Sequence, residues 1–554
     1  MLSSRDAQRG APDPVMPPER VWGRCLGALL TTYLVLVLLT VRDYGIGWDE
    51  FYQALYGDQI LSWYLSLFRD RGVLTPPGNL QYYGGFFEVV AQLATRVSPL
   101  GRYETRHLVG ALFALLAFIW VYRLATQLSG ARAGFLAALF LILTPRFYGH
   151  SLTNSKDIPF AVLYLVSVYY IIRLMPHLPH VPRGLAVKLG IAIGLTSAIR
   201  IGGAILFVLL FAALTLKLAL SRLCKMPSAR LSGFGGGVIT FAKGVFVVGV
   251  VAYLAMFPWW PALQVSPIRH PVRTLLTLSR FPWPQNVLFE GQMLPATALP
   301  WYYIPKWILI TVPEFFLVGL GLGGCLLARE VRHHRVRHAH HLARLGFLIL
   351  AIVLPVAFVA VTKAVVYDAE RHLLFTIPLL AVVSASGVHG ALDLSRRWIP
   401  AAVIVVAGLL ALAAVDMVRL HPYQYIYFNR ALAGGLNSAA SKFDTDYWGL
   451  SYKEGATWIA RNYVKSFPGR RVRVASCSHP LSTQYFLPDD RFEFIGSYDY
   501  RTRVTGHPDL FLATTRWECH KTFSGRVLHV VKRDNVPLLY VQEIEPGATA
   551  ARPY

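Results

Sequence analysis

The sequence predicts an α-helical polytopic membrane protein of about eleven spanning helices, with interfacial helices in its first external loop and a small C-terminal α/β soluble domain. Three observations predict it. The chain of 554 residues is 55% hydrophobic and only 15% charged, against roughly 25% charged in ordinary soluble domains. Apolar runs long enough to cross a hydrocarbon core of roughly 30 Å recur from Cys25 to Val418. The last 130 or so residues, roughly, are polar with short β-like runs. The division expected is a membrane domain over 1–418 and a soluble domain over 419–554.

The formal charge of +24 does not point to nucleic acid. The basic residues sit in short loops between apolar runs, where positive charge fixes orientation. The first run, Cys25 to Val41, follows Arg5, Arg9, Arg20 and Arg24 without a small-residue cleavage signature. It reads as an uncleaved span with the N-terminus in the cytoplasm of a cell that carries the protein in its plasma or inner membrane.

The remaining spans are expected at His107 to Leu128, Gly134 to Phe147, Ile158 to Leu174, Leu185 to Ile199, Gly203 to Leu220, Gly237 to Phe257, Trp307 to Leu327, Leu345 to Val361, Leu373 to Val388 and Ile399 to Val418. A further apolar run, Gly84 to Leu100, is decided by topology. If it crossed, the basic cluster from Arg329 to Arg344, the group Arg222, Lys225 and Arg230, and the pair Arg396 and Arg397 would all lie outside, against the positive-inside rule. As an amphipathic helix along the surface it leaves all three inside.

With that parity the external segments are Arg42 to Arg106, Tyr148 to Asp157, the turn at Arg200, Pro258 to Lys306, Thr362 to His372, and everything after Arg419. The first, about 65 residues, is far longer than a connection needs to be. In the tail, strands are expected at Arg471 to Ala475, Arg491 to Ile495, Leu510 to Thr514, Arg526 to Val531 and Leu538 to Val541, with turns at Pro488-Asp489-Asp490 and Arg533-Asp534-Asn535. Five cysteines show no C-x-x-C spacing, and Cys477 and Cys519 in the tail are a candidate disulfide outside the cytoplasm.

Gly47-Trp48-Asp49-Glu50 places two carboxylates just beyond the first span. Such groups beside hydrocarbon are costly unless solvated or used, although an interfacial polar turn is the bland alternative. Asn154-Ser155-Lys156-Asp157-Ile158-Pro159 puts Asp157 where it can cap the following helix, which does not exclude a second role. Arg200 can snorkel to the interface or bind an anion. In Tyr367-Asp368-Ala369-Glu370-Arg371-His372, an ion-pair network and a phosphate clamp fit equally. The tract His333 to His341 looks metal-binding, but its arginines repel a cation, so it reads as a topology signal. No phosphate loop, serine elbow or zincin motif is present.

The external Asp-Glu after the first helix, the interfacial helices and the Asp of the next external loop together resemble the GT-C class of polyprenyl-phosphate-sugar glycosyltransferases. Within that class they are similar to family 39, which includes the protein O-mannosyltransferases and the lipid A aminoarabinose transferase. Arg106-His107-Leu108-Val109-Gly110-Ala111-Leu112, Gly194-Leu195-Thr196-Ser197-Ala198-Ile199-Arg200, Pro300-Trp301-Tyr302-Tyr303-Ile304-Pro305 and Glu370-Arg371-His372-Leu373-Leu374 carry the likeness over most of the membrane part. The tail departs from the better-known members. There, His421-Pro422-Tyr423-Gln424-Tyr425-Ile426-Tyr427-Phe428-Asn429 and Asp446-Tyr447-Trp448-Gly449 fit sugar stacking or packing of the tail onto the membrane domain.

The resemblance implies transfer of a monosaccharide, with inversion, from a polyprenyl-phosphate donor to a hydroxyl-bearing lipid, glycan or protein. Asp49 matches the catalytic acidic residue of the first loop, with Glu50 beside it, and Asp157 the acidic residue of the second. A departing phosphate needs positive charge more than a general acid, so one base and a basic clamp suffice. Asp49 is the expected base, with burial expected to raise its pKa above the reference of about 3.9. Asp157 would orient the acceptor or hold a divalent cation. Lys156, Arg200, Lys306, Arg371 and His372 are the candidates for the phosphate. The competing readings are a lipid or sugar transporter, which would carry buried charges within its spans and internal repeats, and a membrane scaffold whose tail binds a partner.

Overall fold

The computed structural model describes residues 18–223, 234–278, 281, 283–332, 339–394, 399–498 and 506–548. Among them, eight helices are long and apolar enough to cross a membrane: Glu19–Thr40, Arg102–Ser129, Asp157–His177, Ile201–Ala219, Gly236–Trp259, Leu342–Thr362, Arg371–Asp393 and Pro400–Arg419. The protein is a multi-pass membrane protein. Two further expected spans are broken. Ala131–Ile142 meets Pro145–Thr153 at 65°, and Tyr303–Thr311 meets Glu314–Arg329 at 109°. Both breaks fall before a proline, where Thr144 (ψ 104°) and Val312 (ψ 140°) are driven out of the helical region. The eleventh expected span is the fifteen-residue helix Arg183–Ser197, about 22 Å long at 1.5 Å per residue. Its Gly190 and Gly194 let it lie close against Val248, Val251 and Ala252.

The run from Gly84 to Leu100 does not cross. Its helix, Phe86–Thr95, has ten residues, about 15 Å. The Gly85 N–H donates to the Trp259 carbonyl at 2.8 Å and the Phe86 N–H to the Ala198 carbonyl at 3.2 Å, so this short helix is moored to two span ends. A Cβ on Gly84 would lie 2.1 Å from the Ala198 carbonyl oxygen, which explains glycine there. The basic residues Lys225, Arg230, Arg396, Arg397 and His333 to His338 lie outside the described residues.

A hairpin of β1 (Asn286–Phe289) and β2 (Gln292–Pro295) turns through Glu290 and Gly291, both at positive φ. All five tail strands form: β3 (Val472–Ser476), β4 (Phe492–Ser497), β5 (Leu510–Thr514), β6 (Gly525–Arg533) and β7 (Val536–Ile544). They make one mixed sheet in the order β4-β3-β5-β7-β6, with β3 parallel to both neighbours and β7 antiparallel to β5 and β6. Asp534 and Asn535, both at positive φ, close the last hairpin. Cys477 and Cys519 are joined in a disulfide.

The tail is not a separate body. Tyr423, Tyr425, Tyr427 and Phe428 are buried in the same cluster as Phe118, Phe140 and Phe315 of the membrane helices. Arg146, 1% exposed, donates from Nε to the Tyr427 carbonyl at 2.8 Å and pairs with Glu370 at 3.1 Å.

Candidate active site

A cavity of about 230 Å³ lies between the loops of the membrane part and the tail. Five of the six segments assigned from topology to one side of the bilayer supply its lining. Trp48, Asp49 and Tyr83 come from the first, Lys156 from the second and Trp283 from the fourth; Tyr367, Asp368 and Arg371 come from the fifth, and Trp448, Arg516 and Trp517 from the tail. The remaining segment contributes Arg200 to Asp157 just behind it.

Asp49 stands at the N-terminal end of the helix Glu50–Leu65 and makes no side-chain cap bond. Its carboxylate is therefore free of the helix, 41% exposed, with Lys156 Nζ at 3.6 Å. Burial pushes its pKa up, but the charges of Lys156, Arg371 and Arg200 outweigh burial and the opposing Asp157, so the group sits below the ordinary carboxylate value. This corrects the expectation of a raised pKa, which counted burial and not the surrounding cations.

Glu50 faces the other way. It is 4% exposed, with Oε1 accepting from the Gly47 N–H at 2.7 Å and Oε2 paired with His107 Nε2 at 2.8 Å. Both oxygens are engaged in holding the turn, which removes Glu50 from the candidate catalytic groups.

Asp157 is also buried. Arg200 holds Oδ1, the Asn154 amide donates to Oδ2 at 2.8 Å, and Arg371 approaches Oδ2 to 3.7 Å. The capping reading passes to Asn154, whose Oδ1 accepts the backbone N–H groups of Lys156 and Asp157 at 3.2 and 2.8 Å. A divalent cation at Asp157 does not fit, because two guanidinium groups already face the carboxylate and would repel it. Among the described residues no group of three His, Cys, Asp or Glu side chains could hold a metal ion.

Of the expected phosphate cations, Lys156 and Arg371 reach the cavity. Lys156 lies 4.8 Å from the Tyr83 ring centroid, and Arg371 lies 4.8 and 5.5 Å from those of Tyr367 and Trp448. Arg200 pairs with Asp157 and sits 5.9 Å from the Tyr83 ring. His372 lies behind this wall, edge-on to Tyr367 at 4.7 Å. Lys306 is elsewhere, paired with Glu290 on the tip of the β1–β2 hairpin.

The sequence reading missed Trp283 and Arg516. Trp283 stacks on Tyr367 with centroids 4.1 Å apart and planes at 6°. Arg516 pairs with Asp368 from a position 148 residues further along the chain. Neither lies in a motif, and no spacing rule connects them to their partners. In the tail motifs, Asp446 accepts from Tyr425, Leu450 and Ser451 and so serves packing, whereas Tyr447 and Trp448 line the cavity.

Comparison with solved structures decides the fold class. The ArnT of Cupriavidus metallidurans in the apo state superposes with a TM-score of 0.52 over 94% of this chain and 98% of that one, at 14% identity. Residues 92–246 match the family model described as dolichyl-phosphate-mannose-protein mannosyltransferase. The chain shares the fold of that ArnT structure. The same ArnT bound to undecaprenyl phosphate gives 0.48 over the same coverage and identity. The archaeal oligosaccharyltransferase AglB of Archaeoglobus fulgidus, in complex with an inhibitory peptide and a dolichol-phosphate, gives 0.41 over 94% of this chain and 75% of that one, at 14% identity. No curated protein sequence matches the chain.

Proposed function

We propose that the protein is a membrane glycosyltransferase that moves a monosaccharide from a polyprenyl-phosphate donor to a hydroxyl-bearing acceptor, with inversion, on the non-cytoplasmic side of the cell membrane. Asp49 carries this reading. Of the carboxylates around the cavity, Asp157 and Asp368 are gripped by guanidinium groups, while Asp49 is half-exposed beside a single lysine.

In the proposed step the acceptor oxygen attacks the anomeric carbon, its proton passes to an Asp49 oxygen, and the bond from that carbon to the phosphate oxygen breaks. The polyprenyl phosphate leaves with the bonding electrons. Asp49, Asp157 and Asp368 stand against Lys156, Arg200, Arg371 and Arg516. Three negative charges against four positive leave the site able to take up the charge that grows on the phosphate. The aromatic walls suit the apolar faces of a sugar ring.

The proposed orientation draws on the same convergence. Segments that the basic clusters place outside meet in one cavity, which supports a cytoplasmic N-terminus and an extracytoplasmic tail, with a domain boundary near residue 419. The transporter reading has no counterpart in the family match.

Asp49→Asn tests the function. Removing a general base lowers transfer from a lipid-linked donor by about 10²-fold or more, with insertion and melting temperature unchanged. Retained transfer takes Asp49 out of the mechanism. Mass spectrometry of envelope glycans, glycolipids and glycoproteins with and without the gene identifies the sugar and acceptor; an unchanged envelope counts against transferase activity.

A further inference from the structure

The end of β5 delivers Arg516 and Trp517 to the cavity from the C-terminal domain. The turn that does so is held in an unfavourable conformation. Trp517 and Glu518 have φ of 51° and 54°, a left-handed geometry that costs non-glycine residues roughly 1–2 kcal/mol each. It is fastened on both sides: Trp517 Nε1 donates to the Asn286 carbonyl at 2.9 Å, and Cys519 is bonded to Cys477. Backbone strain that the surroundings over-determine in this way tends to mark a functional position.

Arg516 and Arg371 share one carboxylate. Arg516 pairs with Oδ1 of Asp368, and Arg371 with Oδ2 at 3.1 Å. Arg516 also donates to the Tyr447 carbonyl, and its guanidinium lies 4.3 Å from the Trp517 ring centroid. The two arginine side chains are only 10% and 5% exposed. Among the described residues the Nε atoms of both have no hydrogen-bond acceptor. Both residues line the cavity. Two guanidinium groups on one shared carboxylate leave net positive charge on the cavity wall.

We infer that Arg516 and Arg371 form a phosphate clamp built across the two domains, with the C-terminal domain supplying one of the cations that hold the lipid phosphate. The inference rests on the donor class proposed above and adds a residue that neither the motifs nor the family match covers. Asp368 tunes the clamp by taking up one positive charge. The departing polyprenyl phosphate is a monoester and carries more negative charge than the diester it leaves, so the clamp favours the product side of bond cleavage.

The test is titration of undecaprenyl phosphate into the purified full-length protein in detergent, read by native mass spectrometry. Arg516→Gln weakens binding about ten- to a hundredfold, the range for losing a charge-assisted pair, and Arg516→Lys restores part of it. Asp368→Asn strengthens binding several-fold, an outcome that damaged folding cannot produce. Lys306→Met, outside the cavity, leaves it unchanged. Equal binding by wild type and Arg516→Gln, or weaker binding by Asp368→Asn, overturns the clamp while leaving the transferase reading in place. No binding by the wild type overturns the donor class and the clamp together.

Discussion

The backbone N–H of Trp48 donates to the carbonyl of Trp448 at 3.1 Å, tying the residue before Asp49 to the C-terminal region. The tie is one of several. Lys453 donates to the carbonyls of Arg42 and Tyr44, Ser482 to that of Ile46 at 2.9 Å, and Tyr44 donates from its hydroxyl to Gln424 at 3.0 Å. His421 pairs with Asp43 at 2.8 Å. The turn carrying Asp49 is thus laced to the tail over most of its length.

Gly45 tests that lacing. A Cβ there would lie 2.3 Å from the Leu450 carbonyl oxygen, which is backbone and cannot swing aside. Gly45→Ala is expected to cost about 1–3 kcal/mol of stability. Transfer is expected to fall further, by about 10²-fold, because a displacement of about 1 Å at the base is enough to do so. Thermal melting in detergent and initial rates measured on the same preparation separate the two effects. A rate loss no larger than the loss of folded protein argues against a positioning role for the turn.

Glu50 and Asp49 are adjacent, and their substitutions separate cleanly. Glu50→Ala leaves His107 without its partner and frees the Gly47 N–H. Leaving buried hydrogen-bonding groups without partners costs about 1–3 kcal/mol each, so this variant loses melting temperature and yield. Asp49→Asn keeps both and loses transfer. Full stability in Glu50→Ala contradicts the buried pairing.

Much of this arrangement was legible in the sequence, for identifiable reasons. Short β-like runs separated by turn residues such as Pro488-Asp489-Asp490 and Arg533-Asp534-Asn535 marked the five tail strands. The basic clusters decided that Gly84 to Leu100 stays at the surface, because charge bias is a property of composition. Pro145 and Pro313 marked the two breaks, but a window that averages hydropathy ignores the restriction a proline places on its predecessor. Glu50 and His107 are 57 residues apart and Arg516 and Asp368 are 148 apart. Pairings of that kind are made by tertiary packing, so one sequence offers no period or spacing from which to read them. The lowered pKa of Asp49 was out of reach for the same reason, since Lys156, Arg371 and Arg200 arrive from three separate segments.

That lowered pKa fixes the pH dependence of transfer. A carboxylate base works only when ionised, so activity that depends on Asp49 is present above its folded pKa and lost as pH falls through it. With Lys156, Arg371 and Arg200 holding the group below its usual value, the acid limb of kcat/KM lies below the reference of about 3.9. The rate governed by Asp49 is therefore flat from neutrality down to about pH 5. Lys156→Met removes the lysine charge 3.6 Å from the carboxylate and leaves burial, which acts upward. Its acid limb is expected to move to higher pH, and its rate at pH 5 to fall relative to its own rate at pH 7. The ratio of the two rates, measured for wild type and variant, is insensitive to protein concentration and to a uniform loss of activity. An acid limb that stays in place in Lys156→Met assigns the titrating group to a residue other than Asp49.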